Sequence, residues 1–237
     1  VADTPAVSSL VQSIVKNYGA INGVLYCAGI NRDNFIVKKN PEEFEQVLIP
    51  KVDGVLSLDE ATQQIDLDLF VLFSSVSGVL GNVGQADYAT ANAFLDTFSE
   101  YRNALVQSGA RRGKTLSLNW PLWREGGMRM DEASENRMVE KFGHVAMETS
   151  TGINALNQSL ASGATQVIVV EGLLEKIKCS FMADEAQGSS QDFSVKTISE
   201  DDTNLLREKT LHPLKNLLGE VINLSVSKIN GNEPFEG

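Results

Sequence analysis

The chain has 237 residues, 42% hydrophobic and 22% charged, which is the composition of a globular protein with a buried core. Its length allows one large domain, or one domain with part of another. A net charge of −11 and a pI near 4.7 argue against nucleic acid or an anionic membrane as partner. The two cysteines, Cys27 and Cys179, have no paired spacing and the two histidines, His144 and His212, lie far apart. A disulfide scaffold and a histidine metal site are therefore not expected, and a reducing, cytoplasmic setting is. No apolar stretch is long enough to span a bilayer, and no signal peptide is evident. The chain opens on Val1-Ala2-Asp3 and stops at Gly237, so both ends read as cut.

In chain order, residues 5–18 predict an amphipathic helix with Pro5 in its first turn and Val7, Leu10, Val11, Ile14 and Val15 on one face. Ile21 to Cys27 is an apolar run that predicts a strand entering a tight turn at Ala28-Gly29, with Cys27 as a small core residue. Asn40-Pro41-Glu42-Glu43 is a helix-start signature, and the helix is expected to run towards Gln64 with a kink at Pro50. Asp68 to Ser74 predicts a second buried strand, residues 85–108 a long helix, and Lys114 to Asn119 a third strand stopped at Trp120-Pro121. Helices over 131–142 and 149–162 and a strand from Thr165 to Val170 complete the series. Strands alternating with helices across short turns imply a doubly wound α/β domain, a parallel sheet with helices on both faces. Ligands of such sheets lie outside the carboxyl ends of the strands, where Ala28-Gly29, Ser75 and Pro121 are expected to converge. Residues 181–202 are poor in apolar side chains and read as a linker. Residues 203–237 carry a leucine-rich helical pattern too short for a domain.

The chemistry is concentrated in Ser75, Tyr88 and Asn92. Tyr88 follows Ser75 by 13 positions (88 − 75) and Asn92 comes one helical turn after Tyr88. A hydroxyl able to hold a carbonyl oxygen and a phenol able to protonate it suit carbonyl reduction. A free phenol holds its proton with a pKa near 10, and a nearby ammonium lowers it. Asn92 cannot supply that charge, and Lys51, just after Pro50, is the candidate. Taken singly, Lys51 would be a solvated helix lysine, Tyr88 a packed aromatic and Ser75 a capping hydroxyl.

Taken together, these residues resemble the ketoreductase domains of modular polyketide synthases, a branch of the short-chain dehydrogenase/reductases with a Rossmann-like fold. The matching segments are Tyr26-Cys27-Ala28-Gly29-Ile30, Ile49-Pro50-Lys51-Val52-Asp53-Gly54, Phe73-Ser74-Ser75, Gly84-Gln85-Ala86-Asp87-Tyr88, Ala91-Asn92-Ala93-Phe94-Leu95-Asp96 and Leu118-Asn119-Trp120-Pro121-Leu122-Trp123. The resemblance covers roughly residues 1–180. It implies Tyr88 as proton donor and Ser75 on the substrate carbonyl. Lys51 would lower the tyrosine pKa and bind nicotinamide ribose, and Asn92 would sustain the proton relay. It also implies NADPH as reductant, with Ala28, Gly29, Lys51, Tyr88, Pro121 and Leu122 on the cofactor. The substrate would be a β-ketoacyl chain on the phosphopantetheine of an acyl carrier protein, with other synthase domains as neighbours. Asp33 matches the last aspartate of the motif that marks B-type ketoreductases, and Leu80 stands where A-type enzymes carry tryptophan. Both imply a B-type product. Residues 205–229 and the following loop resemble the start of an acyl carrier protein, without its modified serine.

One departure bears on the cofactor. No Gly-x-Gly-x-x-Gly loop follows a predicted strand. In the family that loop precedes the point matched by Val1, so this chain by itself is expected to bind NADPH weakly or not at all, and to be inactive alone, having no helix N-terminus for the pyrophosphate. Two other readings stand beside the first: a structural, non-catalytic half of a ketoreductase, and a stand-alone short-chain dehydrogenase acting on a small molecule.

Overall fold

The computed structural model describes residues 1–128 and 130–179; the linker and carrier-like readings of 181–202 and 203–237 lie outside the described residues. Helix α1, Thr4–Tyr18, starts on Asp3, whose carboxylate accepts the Ala6 N–H at 2.9 Å, so an otherwise unpaired first-turn donor is satisfied. Val7 and Val11 of α1 are buried, but Leu10 is 60% exposed, so the apolar stripe is narrower than its periodicity predicts. Strand β1, Gly23–Tyr26, is followed by helices α2, Pro41–Lys51, and α3, Asp53–Ala61. Strand β2, Leu69–Ser75, runs directly into the short helix α4, Val76–Leu80, and then into the long α5, Ala86–Gln107. Strand β3, Lys114–Trp120, helices α6, Glu132–Phe142, and α7, Thr149–Ser162, and strand β4, Gln166–Ile168, follow.

The four strands form one parallel sheet in the order β1-β2-β3-β4. Side chains alternate across a strand, so neighbours on β2 serve opposite layers. Phe70 and Leu72 join Tyr26, Val55, Leu95 and Phe98 in a core under α3 and α5. Val71 joins Leu116, Leu118 and Trp120 in a second core, packed by Ala155 and Leu156 of α7. Helices thus cover both faces, as the doubly wound reading requires. The register pairs Ser74 with Asn119 and Ser75 with Trp120, so β2 and β3 end level.

Two local expectations are corrected. The helix predicted across Pro50 is two helices, broken at Val52 (φ −90°, ψ −71°). Proline has no N–H to continue the ladder, and the Pro50 carbonyl accepts the Tyr26 hydroxyl instead. Burial pushes the Tyr26 phenol up to about 12, which keeps it a donor. A Cβ on Gly54 would sit 2.2 Å from that hydroxyl, so glycine is needed for α3 to approach β1. Cys27 is exposed, not core. Strand β1 ends one residue earlier with Tyr26 turned into the core, and alternation leaves Leu25 and Cys27 on the other, open side.

Candidate active site

Ser75 is the last residue of β2 and the N-cap of α4, its Oγ accepting the Ser77 N–H at 3.2 Å. That bond uses an oxygen lone pair and leaves the hydroxyl hydrogen free to donate. The capping role that Ser75 would have alone and the substrate-facing role are therefore compatible.

Tyr88 and Asn92 lie on successive turns of α5, both buried. The Asn92 Nδ2 donates to the Tyr88 carbonyl at 2.7 Å. Its Oδ1 is buried without a hydrogen-bond partner among the described residues, an unspent acceptor of a kind that native cores rarely tolerate. Burial raises the Tyr88 phenol above its usual value, Ser75 and Asn92 act to lower it through side-chain hydrogen bonding, and the Asp33 charge raises it. A phenol that stays protonated at neutral pH is the right state for an acid.

Lys51 ends α2 and is 4% exposed, which sets it apart from the solvated lysine its position alone would predict. Its Nζ donates to the Phe73 carbonyl at 2.9 Å, two residues before Ser75. A Cβ on Gly29 would come within 2.9 Å of Lys51 Cε and 3.4 Å of Nζ, so the turn after β1 closes directly over the ammonium. Desolvation lowers the Lys51 pKa to about 8, against the opposing effects of Cys27 and Asp96. The groups that shift Tyr88 are Ser75, Asn92 and Asp33, while Lys51 answers to Cys27 and Asp96.

Pro121 and Leu122 follow the end of β3, and the Leu122 carbonyl accepts the Met147 N–H at 2.7 Å. Leu80, the last residue of α4, is 42% exposed. Asp33 lies in the exposed loop after β1, its Oδ2 accepting the Gln85 Nε2 at 3.1 Å. A groove of about 510 Å³ opens beside this loop, lined by Gly29, Ile30, Asn31, Arg32, Gly127 and Met128, a size that suits a small ligand. Ala28-Gly29, Ser75 and Pro121 thus all lie at the carboxyl ends of their strands, and of these Gly29 lines the groove.

Sequence reasoning missed the layer beneath. Asp96, one turn beyond Asn92, accepts the Ser117 hydroxyl at 2.6 Å and the Asn119 Nδ2 at 2.8 Å. Asn119 also donates to the Ser75 carbonyl at 3.0 Å and the Ser74 Oγ at 3.1 Å, and Ser74 donates to the Asn92 carbonyl at 3.1 Å. One buried network therefore fixes the ends of β2 and β3 and the Asn92 turn together. The available signal was three small polar residues, Ser74, Ser117 and Asn119, in strands whose core is apolar at Phe70, Val71, Leu72, Leu116 and Leu118.

Residues 1–125 match the KR domain family. The chain is 42% identical to polyketide synthase PksL of Bacillus subtilis (strain 168) over 99% of its own length and 5% of that protein's. It is 48% identical to polyketide synthase PksN of the same organism over 84% of its own length and 4% of that protein's. Among solved structures it resembles a ketoreductase domain from the bacillaene assembly line, with 49% identity and a TM-score of 0.74, covering 76% of this chain and 43% of that one. It also resembles A-type ketoreductases from a modular polyketide synthase, with 30% identity and a TM-score of 0.67, covering 77% of this chain and 37% of that one.

Proposed function

Because the chain belongs to the KR domain family, the ketoreductase domains of polyketide synthases, we propose that it reduces a carrier-bound β-ketoacyl thioester to the β-hydroxyacyl thioester. The observation that carries this reading is the buried Ser75–Tyr88–Asn92 set at the strand ends, with Lys51 beside it. Ser75 donates to the substrate carbonyl and Tyr88 delivers its proton to the oxygen as charge develops there. The residues present fit the ribose of a nicotinamide cofactor. Lys51 spends one of its three donors on Phe73, Asn92 keeps an unpaired acceptor, and the turn at Ala28-Gly29 brings backbone to the ammonium. Lys51, Ala28, Gly29, Tyr88, Pro121 and Leu122 would hold it. The cofactor, NADPH in this proposal, supplies the hydride.

Asp33, next in sequence to the groove residue Arg32, and Leu80 in place of a tryptophan support a B-type product. The groove beside Asp33 suits a tethered chain arriving from an acyl carrier protein, with neighbouring synthase domains as the surroundings. The test uses a polypeptide extended to the full length of the solved relatives, since this chain matches 43% of the first of them. NADPH oxidation with a carrier-bound β-ketoacyl thioester is expected to fall at least ~100-fold in Tyr88→Phe. An unchanged rate would remove Tyr88 from the chemistry, and an inert extended polypeptide would favour the structural reading.

A further inference from the structure

Lys39 and Asp87 form an ion pair of 2.6 Å whose side chains are 2% and 0% exposed. Neither residue belongs to the catalytic set, yet each adjoins a residue that bears on it. The same Lys39 ammonium donates to the Arg32 carbonyl, next to Asp33. Asp87 lies in the first turn of α5, and its Oδ1 accepts the N–H of Tyr88 at 2.8 Å. One buried cation therefore bridges the backbone beside Asp33 and the carboxylate that holds the backbone of Tyr88. Two further links run in parallel: the Asn34 N–H to the Gly84 carbonyl at 2.9 Å, and the Gln85 amide to Asp33 at 3.1 Å. Gln85 is itself held by Ser77 at 3.2 Å and by Asn82 at 2.9 Å.

Of the parallel links one is a neutral backbone bond and the other an exposed amide–carboxylate contact open to water, whereas Lys39–Asp87 is desolvated. Charge-assisted bonds in a dry environment are stronger and more directional than neutral ones. A buried pair is seldom retained for stability, because desolvation offsets its attraction, but it can fix one geometry among several. Asp33 acts electrostatically on the Tyr88 phenol, so the separation of these two residues has a chemical consequence. From this geometry we propose that Lys39 and Asp87 are positioning residues that lock the Asp33 loop to the first turn of the Tyr88 helix. They thereby fix how the acyl chain enters and which face of the ketone is presented. The inference rests on the reading of Tyr88 as proton donor.

The test is the ratio of the two β-hydroxy diastereomers made by the extended polypeptide, because loss of folded protein lowers yield without changing that ratio. Lys39→Met is expected to raise the minor diastereomer at least tenfold and to raise KM more than it lowers kcat, while Lys39→Arg, keeping the charge, restores the parent ratio. If Lys39→Met fails to fold, the double variant Lys39→Met, Asp87→Leu leaves no unpaired buried charge and is expected to give the same shift. An unchanged ratio and KM in a folded variant overturns the proposal. Tyr88→Phe in the parent background separates the two claims: full activity there defeats the proton-donor reading, whereas an inactive Tyr88→Phe beside an unaltered Lys39→Met defeats this one alone.

Discussion

Lys51 shows how a single buried charge couples stability to chemistry. Burial holds its pKa at about 8, well below the ordinary 10.5. Between those two values the unfolded chain retains a proton that the folded chain has released, so stability from this group rises with pH across that window. At neutral pH the charged, desolvated lysine costs ~3 kcal/mol relative to an exposed one. Lys51→Met is therefore expected to raise the thermal midpoint while abolishing reduction, a trade of function against stability. The rate should fall as pH rises through about 8, where the ammonium is lost, because the Tyr88 phenol titrates above its ordinary value. Measuring kcat/KM against pH decides the assignment: a limb near 8 belongs to Lys51, and one beyond 10 to Tyr88.

The candidate catalytic residues stand out in the sequence because their side chains carry chemistry in a recognisable order. Their supports do not. Lys39 and Asp87 are separated by 48 positions (87 − 39), and each alone reads as an ordinary solvated charge. At the scale of elements, strands and helices were legible from their periods, and the misreadings occur where tertiary contact overrides period. Tyr26 captures the carbonyl of Pro50 and splits one predicted helix into two. Ser75 starts a five-residue helix that no hydrophobic repeat announces. The packing of α5 on β3 through Asp96 belongs to the same class, a polar seam in an apolar layer. Asp96→Asn replaces an acceptor facing Ser117 and Asn119 with an amide and is expected to cost ~1–3 kcal/mol, read from the denaturant midpoint. It also removes a charge that supports protonated Lys51, so the alkaline limb of the rate should move below 8. Loss of stability with an unmoved limb would separate Asp96 from the site.

Across the molecule, the parallel sheet assigns its two ends to different tasks. The carboxyl ends of the strands carry Ser75, Lys51 and the turn at Gly29, and the amino ends carry a second buried charge cluster. Arg102 of α5 is wholly buried, with Nε 2.7 Å from Asp59 and further bonds to the Gly113 and Arg112 carbonyls and the Thr115 hydroxyl, all at 2.9 Å. Arg111 meets the same carboxylate at 3.0 Å, and the ring of Phe70 lies 4.4 Å from the guanidinium. Burial lowers the Arg102 pKa, with Asp59 opposing, and the side chain stays charged because so many acceptors surround it. This cluster joins α3, α5 and the start of β3, the joint that holds one helical layer to the sheet. Seven residues of β3, roughly 20 Å of extended chain, separate it from the carboxyl end of the sheet. Arg102→Met leaves Asp59 buried with only Arg111, and removing one member of such a cluster costs ~3–5 kcal/mol. The folded fraction should keep its kcat/KM, since no group at the strand carboxyl ends has changed. Denaturant unfolding read beside single-turnover reduction decides it, and a fall in the rate per folded molecule would mean that the two ends of the sheet are mechanically coupled.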